Sequence, residues 1–252
     1  MKKRLVVGNW KMYVENPQEA HAYALQLRRK VRGLSGVEVW VAPPYPFVPG
    51  VAKVLESSPV HVGAQDVAPF ENIPHTGAVS AKMLKNSGAL FVIVGHSERR
   101  AQGESEQDVR AALERAAEAG LAPILCIGET EREKDGEHVA VLERQLTTAL
   151  DKLAPAALKK LVVAYEPVWA IGKHGVDAID PAGLEEMVIF IKKVLTELTD
   201  RTRALKVPIL YGGSVEADNA AALLQGGGIN GFLVGHASTK LETFFPIIQA
   251  CK

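Results

Sequence analysis

Short apolar runs and amphipathic stretches alternate along the whole chain. Leu5 to Val7, Val37 to Val41, Val60 to Ala64, Leu90 to Val94, Pro123 to Ile127, Leu161 to Tyr165, Pro208 to Tyr211 and Gly231 to Val234 are brief and rich in β-branched or other apolar residues. Runs of that kind suit strands buried on both faces. Between them lie helical patterns. Pro17 to Val31 begins behind Asn16 as N-cap, with proline at the first position. Val48 to Glu56, Ser80 to Asn86, Ser105 to Ala119 (closed by Gly120), Val139 to Leu153 and Leu184 to Leu198 follow, the last announced by Asp180 and Pro181. A short helix after Asp218 and a closing one near Glu242 to Ala250 complete the series. About eight strand–helix units in strict alternation predict an α/β fold, a single (β/α)8 barrel over residues 1–252. No linker or shift in composition divides it, and an open doubly wound sheet is the alternative.

Composition adds exclusions. The 252 residues are long enough for one such barrel, and Lys plus Arg balances Asp plus Glu at 29 each, so nucleic acid and anionic membranes are not expected partners. Cys126 and Cys251 are too few for a disulfide framework, which favours a reducing compartment and a cytoplasmic location. The basic start Met1-Lys-Lys-Arg4 lacks the apolar region of a signal peptide, and no apolar run is long enough to span a bilayer.

The segment Leu161 to Gly172 concentrates the chemistry. Its apolar run ends in Glu166, and Pro167 stops the strand. Val168, Trp169, Ala170 and Ile171 then form an apolar loop beside a carboxylate. Loops are normally solvated, so this one is expected to fold over the carboxylate and exclude water, which makes a carboxylate a stronger base.

In a barrel, the C-terminal strand ends share one face. They bear Asn9 and Lys11, Gln65, His96 with Ser97 and Glu98, Glu129, Glu166, Gly212-Gly-Ser214 and Gly235. Glycines after the seventh and eighth strands let backbone N–H groups approach an anion, a recurrent phosphate site. Gly226 to Gly231 matches a dinucleotide-binding spacing but precedes a strand, and Gly95-His-Ser-Glu-Arg99 lacks the last glycine of a nucleophile elbow. No P-loop, H-E-x-x-H or zinc-spaced cysteine pair occurs, so no metal is expected.

Taken together, Gly8-Asn-Trp-Lys-Met12, Gly63-Ala-Gln65, Val94-Gly-His-Ser-Glu-Arg-Arg100, Cys126-Ile-Gly-Glu129, Ala164 to Gly172, Tyr211-Gly-Gly-Ser-Val215 and Gly231-Phe-Leu-Val-Gly235 resemble the triosephosphate isomerase family from end to end. The resemblance implies cofactor-free interconversion of dihydroxyacetone phosphate and glyceraldehyde 3-phosphate. By position it implies Glu166 as base, His96 as neutral donor to the carbonyl oxygens, and Lys11 as stabiliser of the enediolate and phosphate. Asn9 would orient the carbonyl. Gly172, Ser214, Gly235 and His236 would bind phosphate, with Glu98, Ser97, Tyr211 and Trp169 in support. A homodimer through the loop near Thr76 is also implied.

The chain departs from the family pattern in several places. The lid continues Lys173-His174-Gly175 in place of Thr-Gly-Lys, so it is expected to close with changed kinetics. His236 replaces a second phosphate-site glycine, and His75 and Ala78 replace Phe and Glu in the dimer loop. One residue is missing between Arg100 and Gly103. Two competing readings follow. One is a sugar-phosphate-binding barrel with an impaired lid and no turnover. The other is a Schiff-base aldolase, disfavoured because Lys11 matches an electrostatic role.

Overall fold

The computed structural model describes residues 3–70, 73–132, 136–173 and 179–252. Strands β1 (Arg4–Asn9), β2 (Val37–Ala42), β3 (Val60–Ala64), β4 (Phe91–Val94), β5 (Ala122–Ile127), β6 (Val162–Tyr165), β7 (Ile209–Tyr211) and β8 (Gly231–Val234) pair in parallel, each with the next. The last returns to the first, Leu5 facing Gly231 and Gly8 facing Val234, so the sheet closes into a barrel. Around it run α1 (Pro17–Lys30), α2 (Val48–Leu55), α3 (Ala81–Asn86), α4 (Ser97–Ala101), α5 (Glu106–Glu118), α6 (Glu137–Leu150), α7 (Pro155–Leu158), α8 (Pro181–Leu198), α9 (Arg201–Lys206), α10 (Ala220–Gly226) and α11 (Leu241–Ala250).

Local chemistry sets the helix starts. Asn16 Oδ1 accepts from the Glu19 N–H at 2.8 Å, and Asp180 caps α8 through the Gly183 N–H at 2.7 Å. Ser105 and Asp108 form a reciprocal capping box at α5. Ala20, Tyr23, Ala24 and Leu27 bury the inner face of α1 at helical spacing.

Alternation along the strands separates two cores. Leu5, Val7, Ala42, Phe91, Ile93, Ile124, Cys126, Val162, Ala164, Leu210 and Leu233 fill the barrel interior. Their neighbours, among them Val6, Val92, Leu125, Val163, Tyr165 and Tyr211, face the helices. With a period of two, the same inward parity continues off the strand tops to Asn9, Gly128, Glu166, Gly212 and Gly235. Gly231 makes the seam possible: a Cβ there would stand 1.8 Å from the Leu5 carbonyl oxygen, at a φ of +148°. Of the glycines that resemble a nucleotide loop, Gly231 serves barrel closure, while Gly226 and Gly227 let α10 approach α8 at Pro181 and Leu184.

Three short helices escaped the periodicity reading. α4, α7 and α9 have six residues or fewer, too short for an apolar stripe to repeat. The 3₁₀ turns at Tyr45–Phe47, Val168–Ala170 and His236–Ser238 escaped it for the same reason. α6 begins at Glu137 and ends at Leu150, offset from the expected Val139 to Leu153, and α8 starts directly after its Asp180 cap.

Candidate active site

At the C-terminal mouth of the barrel, Asn9, Lys11, His96, Glu166, Ser214 and Gly235 line a single cavity of about 350 Å³. That size suits a small ligand. Glu166 is 2 % exposed. Its Oε2 accepts from the Ser97 N–H at 3.0 Å, and its Oε1 lies 3.3 Å from His96 Nε2. Gly212 leaves the room: a Cβ there would be 2.8 Å from Glu166 Cγ.

His96 is the N-cap of α4, and its Nδ1 accepts from the Glu98 N–H at 3.2 Å. A ring nitrogen that accepts carries no proton, so the imidazole is neutral with its proton on Nε2, facing the cavity. The turn after β4 thus sets the tautomer.

Lys11 has a left-handed backbone, φ +47°, unusual for a residue with a side chain. Its surroundings hold it there. Its N–H donates to Asn9 Oδ1 at 3.1 Å, and its carbonyl accepts from Gln65 Nε2 at 3.0 Å. Its Nζ meets Glu98 Oε1 at 2.6 Å, and its stem lies against Gly235, where a Cβ would be 3.4 Å from Lys11 Cε. Burial pushes the Glu98 carboxyl up. The hydrogen bond and charge of Lys11, with His96 behind them, outweigh it and hold that carboxyl below its ordinary range.

The loop after β6 closes one wall. The Gly172 N–H donates to Ser214 Oγ at 2.7 Å, and the Ser214 hydroxyl donates to the Ala170 carbonyl at 3.3 Å. Buried Glu129 anchors the loop from beneath: its Oε1 accepts from the Tyr165 hydroxyl at 2.8 Å and from Trp169 Nε1 at 2.7 Å. The apolar cover is narrower than expected. Ala170 is buried, Trp169 is half-buried, but Ile171 is 41 % exposed, because the chain has already turned outward toward Gly172. His174 and Gly175 lie outside the described residues.

The phosphate-type turns line the same cavity, Gly235 beside Lys11. Tyr211 is buried beneath Gly213, where a Cβ would stand 2.2 Å from its hydroxyl; burial pushes the phenol up, and the Ser214 N–H partly offsets this. Asn219 ties the first turn, donating to the Ser214 carbonyl at 3.0 Å and accepting from the Glu216 N–H at 2.9 Å. Ser238 ties the second, donating to the Gly235 carbonyl at 2.8 Å and the Asn9 carbonyl at 3.2 Å. His236 lines the cavity with its ring edge-on to Tyr13, centroids 5.1 Å apart.

The candidate residues therefore gather around this mouth of the barrel; Gln65 and Glu98 line an adjoining hollow that shares Asn9, Lys11 and His96 with the cavity. Lys11, His96 and Glu166 line it directly, while Ser97, Glu98, Tyr211 and Trp169 act on its walls. Sequence reading missed Asn219, Ser238 and Tyr13. Only Asn219 carried a signal, the Glu216-Ala-Asp-Asn219 spacing of a side-chain-closed turn. Cys126 is fully buried and its thiol is pushed well up by burial and by nearby Glu166. It packs the barrel interior.

A closed (β/α)8 barrel with a dry carboxylate, a neutral imidazole and an ammonium around an amide-lined pocket defines an acid–base enzyme of small anionic substrates. A family model described as triosephosphate isomerase matches residues 4–251. Triosephosphate isomerases of Thermus thermophilus and Citrifermentans bemidjiense are 42 % and 41 % identical over 251 residues, each alignment covering 99 % of both chains. The crystal structure of triosephosphate isomerase from Bartonella henselae superposes with a TM-score of 0.86 at 32 % identity, covering 99 % of both chains. The chain belongs to the triosephosphate isomerase family and is an isomerase.

Proposed function

We propose that this cavity interconverts dihydroxyacetone phosphate and D-glyceraldehyde 3-phosphate by proton transfer through an enediolate. The reading rests on one observation, the convergence of Lys11, His96 and Glu166 on a single cavity walled by main-chain amides. Glu166 exchanges its bond to the Ser97 N–H for the substrate, takes a proton from the carbon beside the carbonyl, and returns it to the neighbouring carbon. As that carbon–hydrogen bond breaks, its electron pair forms the carbon–carbon double bond of the enediolate and the carbonyl π pair moves to oxygen; the proton of the neighbouring hydroxyl then passes to that oxygen by way of His96, and the second carbonyl forms as Glu166 returns its proton to carbon. The Nε2 proton of His96 and the Lys11 ammonium stabilise the oxyanion, and Asn9 orients the carbonyl. The N–H groups of Ser214, Gly235 and His236 hold the phosphate away from the reacting carbons, and Gly172, its N–H tied to Ser214 Oγ, holds the lid over it. Loop closure excludes water from the enediolate.

A coupled assay consuming glyceraldehyde 3-phosphate tests this with wild type beside Glu166→Gln. Turnover falls by about 10²–10⁴-fold in the variant, with KM little changed. Thermal stabilisation of the wild type by phosphoglycolate, without turnover, overturns catalysis in favour of a sugar-phosphate-binding barrel.

The finer assignments belong to the same reading. The chain acts as one domain, since its first and last strands pair, and it serves glycolysis and gluconeogenesis in the cytoplasm. Among the described residues, no helix is long and apolar enough to cross a membrane. It acts as a homodimer through the loop near Thr76, where Phe70 and His75 stack at 3.9 Å. Met12, Tyr13, Ile73 and Met83 are exposed apolar residues that suit such an interface. Sedimentation at micromolar concentration tests it, and a monomer there rejects it.

A further inference from the structure

A second cavity, of about 400 Å³, opens between α7, α9 and the starts of β6 and β7. Both strands run from this end toward Glu166 and Ser214, so it lies at the mouth of the barrel opposite the active cavity. Lys159, Lys160, Arg203 and Lys206 surround it above an apolar floor that includes Leu158 and Pro208, and among the described residues no carboxylate lines it. The four cations are exposed. Lys160, Arg203 and Lys206 each have a partner of their own. Lys160 Nζ donates to the Gly120 carbonyl at 3.1 Å, and Arg203 pairs with Asp200 at 3.2 Å. That pair is half in water and worth little. Beneath the wall, Lys192 Nζ donates to the Ala204 carbonyl at 2.8 Å and to the Val207 carbonyl and ties α8 to α9. The whole chain is neutral, with 29 positive and 29 negative side chains, so this is a local excess in a concave setting. Ammonium groups from the turn after α7 and an arginine and a lysine from α9 around one hollow suit an anion with several phosphate oxygens better than a single carboxylate.

We propose that this basal cavity binds a compact polyphosphate anion, independently of the catalytic cavity. The probe is sodium tripolyphosphate, titrated calorimetrically at low ionic strength into the full chain with its active cavity saturated by phosphoglycolate. One further site is expected, and in wild type it slows hydrogen exchange across residues 155–162 and 203–208. Lys159→Gln with Arg203→Gln and Lys206→Gln weakens it by about tenfold or more, leaving phosphoglycolate affinity unchanged. Arg32→Gln with Lys53→Gln and Lys82→Gln, exposed cations elsewhere, leave tripolyphosphate binding intact. Absence of heat and of protection overturns the proposal, as does equal weakening in the second triple variant, which would mean attraction by net charge alone. If the basal variant does not fold, the wild-type exchange pattern decides. Turnover is measured separately, so failure here leaves the isomerase reading standing.

Discussion

Gly128 and Glu166 meet backbone to backbone: a Cβ on Gly128 would stand 1.8 Å from the Glu166 carbonyl oxygen. The Glu166 N–H also donates to the Ile127 carbonyl at 2.8 Å, so the end of β5 sets the height of the base above the barrel. Gly128→Ala must push the two chains apart. Turnover is expected to fall by about a hundredfold, because misplacement near 1 Å costs that much. The global stability cost, read by urea unfolding, is about 1–3 kcal/mol. Steady-state kinetics check it. An unchanged turnover number means the contact does not position the base.

The bond from the Glu98 N–H to His96 Nδ1 makes a spectroscopic prediction. ¹⁵N spectra of the resting protein will show the His96 proton on Nε2 and none on Nδ1. A proton on Nδ1 would contradict the assigned role of His96 as a neutral donor.

Ser214→Ala removes the acceptor of the Gly172 N–H and leaves the exposed lid amide to water. The loss is about 1 kcal/mol, or roughly fivefold in phosphoglycolate affinity and in KM, with overall stability nearly unchanged. A fully retained affinity would show that this bond does not contribute to closure.

Beside the site, Arg99 Nε lies 2.9 Å from Asp66 Oδ2 and 4.0 Å from Glu104 Oε1. Burial pushes the Glu104 carboxyl from its ordinary 4.5 up to about 7, and Asp66 adds to the push while Arg99 and Arg100 oppose it. The folded chain therefore binds this proton more tightly than the unfolded chain. Between pH 4.5 and about 7 the group makes stability fall as pH rises, and above that the penalty is constant. Glu104→Gln should gain stability relative to wild type at pH 8 and gain less, or lose, at pH 5. Thermal unfolding at the two values checks the sign; the same difference at both would remove Glu104 as the cause.

Much of the site was legible because strand ends are local. Glu166 follows an apolar run and precedes Pro167; Gly212 and Gly235 end their strands as inward-facing positions. Asn219 and Ser238 were far less legible. Their hydrogen bonds act on turns whose shapes come from packing, and nothing in the spacing around Ser238 marks it.

Alternation of apolar runs with amphipathic stretches determined the eightfold barrel, and parity along each strand determined which side chains crown its interior. These follow from backbone periods of 2 and 3.6, which any stretch of chain expresses alone. Only the tertiary structure decided that Lys11 pairs with Glu98, 87 positions away, that Ser97 holds Glu166, and that Ile171 turns outward. It alone gathered Lys159, Lys160, Arg203 and Lys206 around one basal hollow. Such relations depend on how loops settle after the barrel closes, and no local period encodes that.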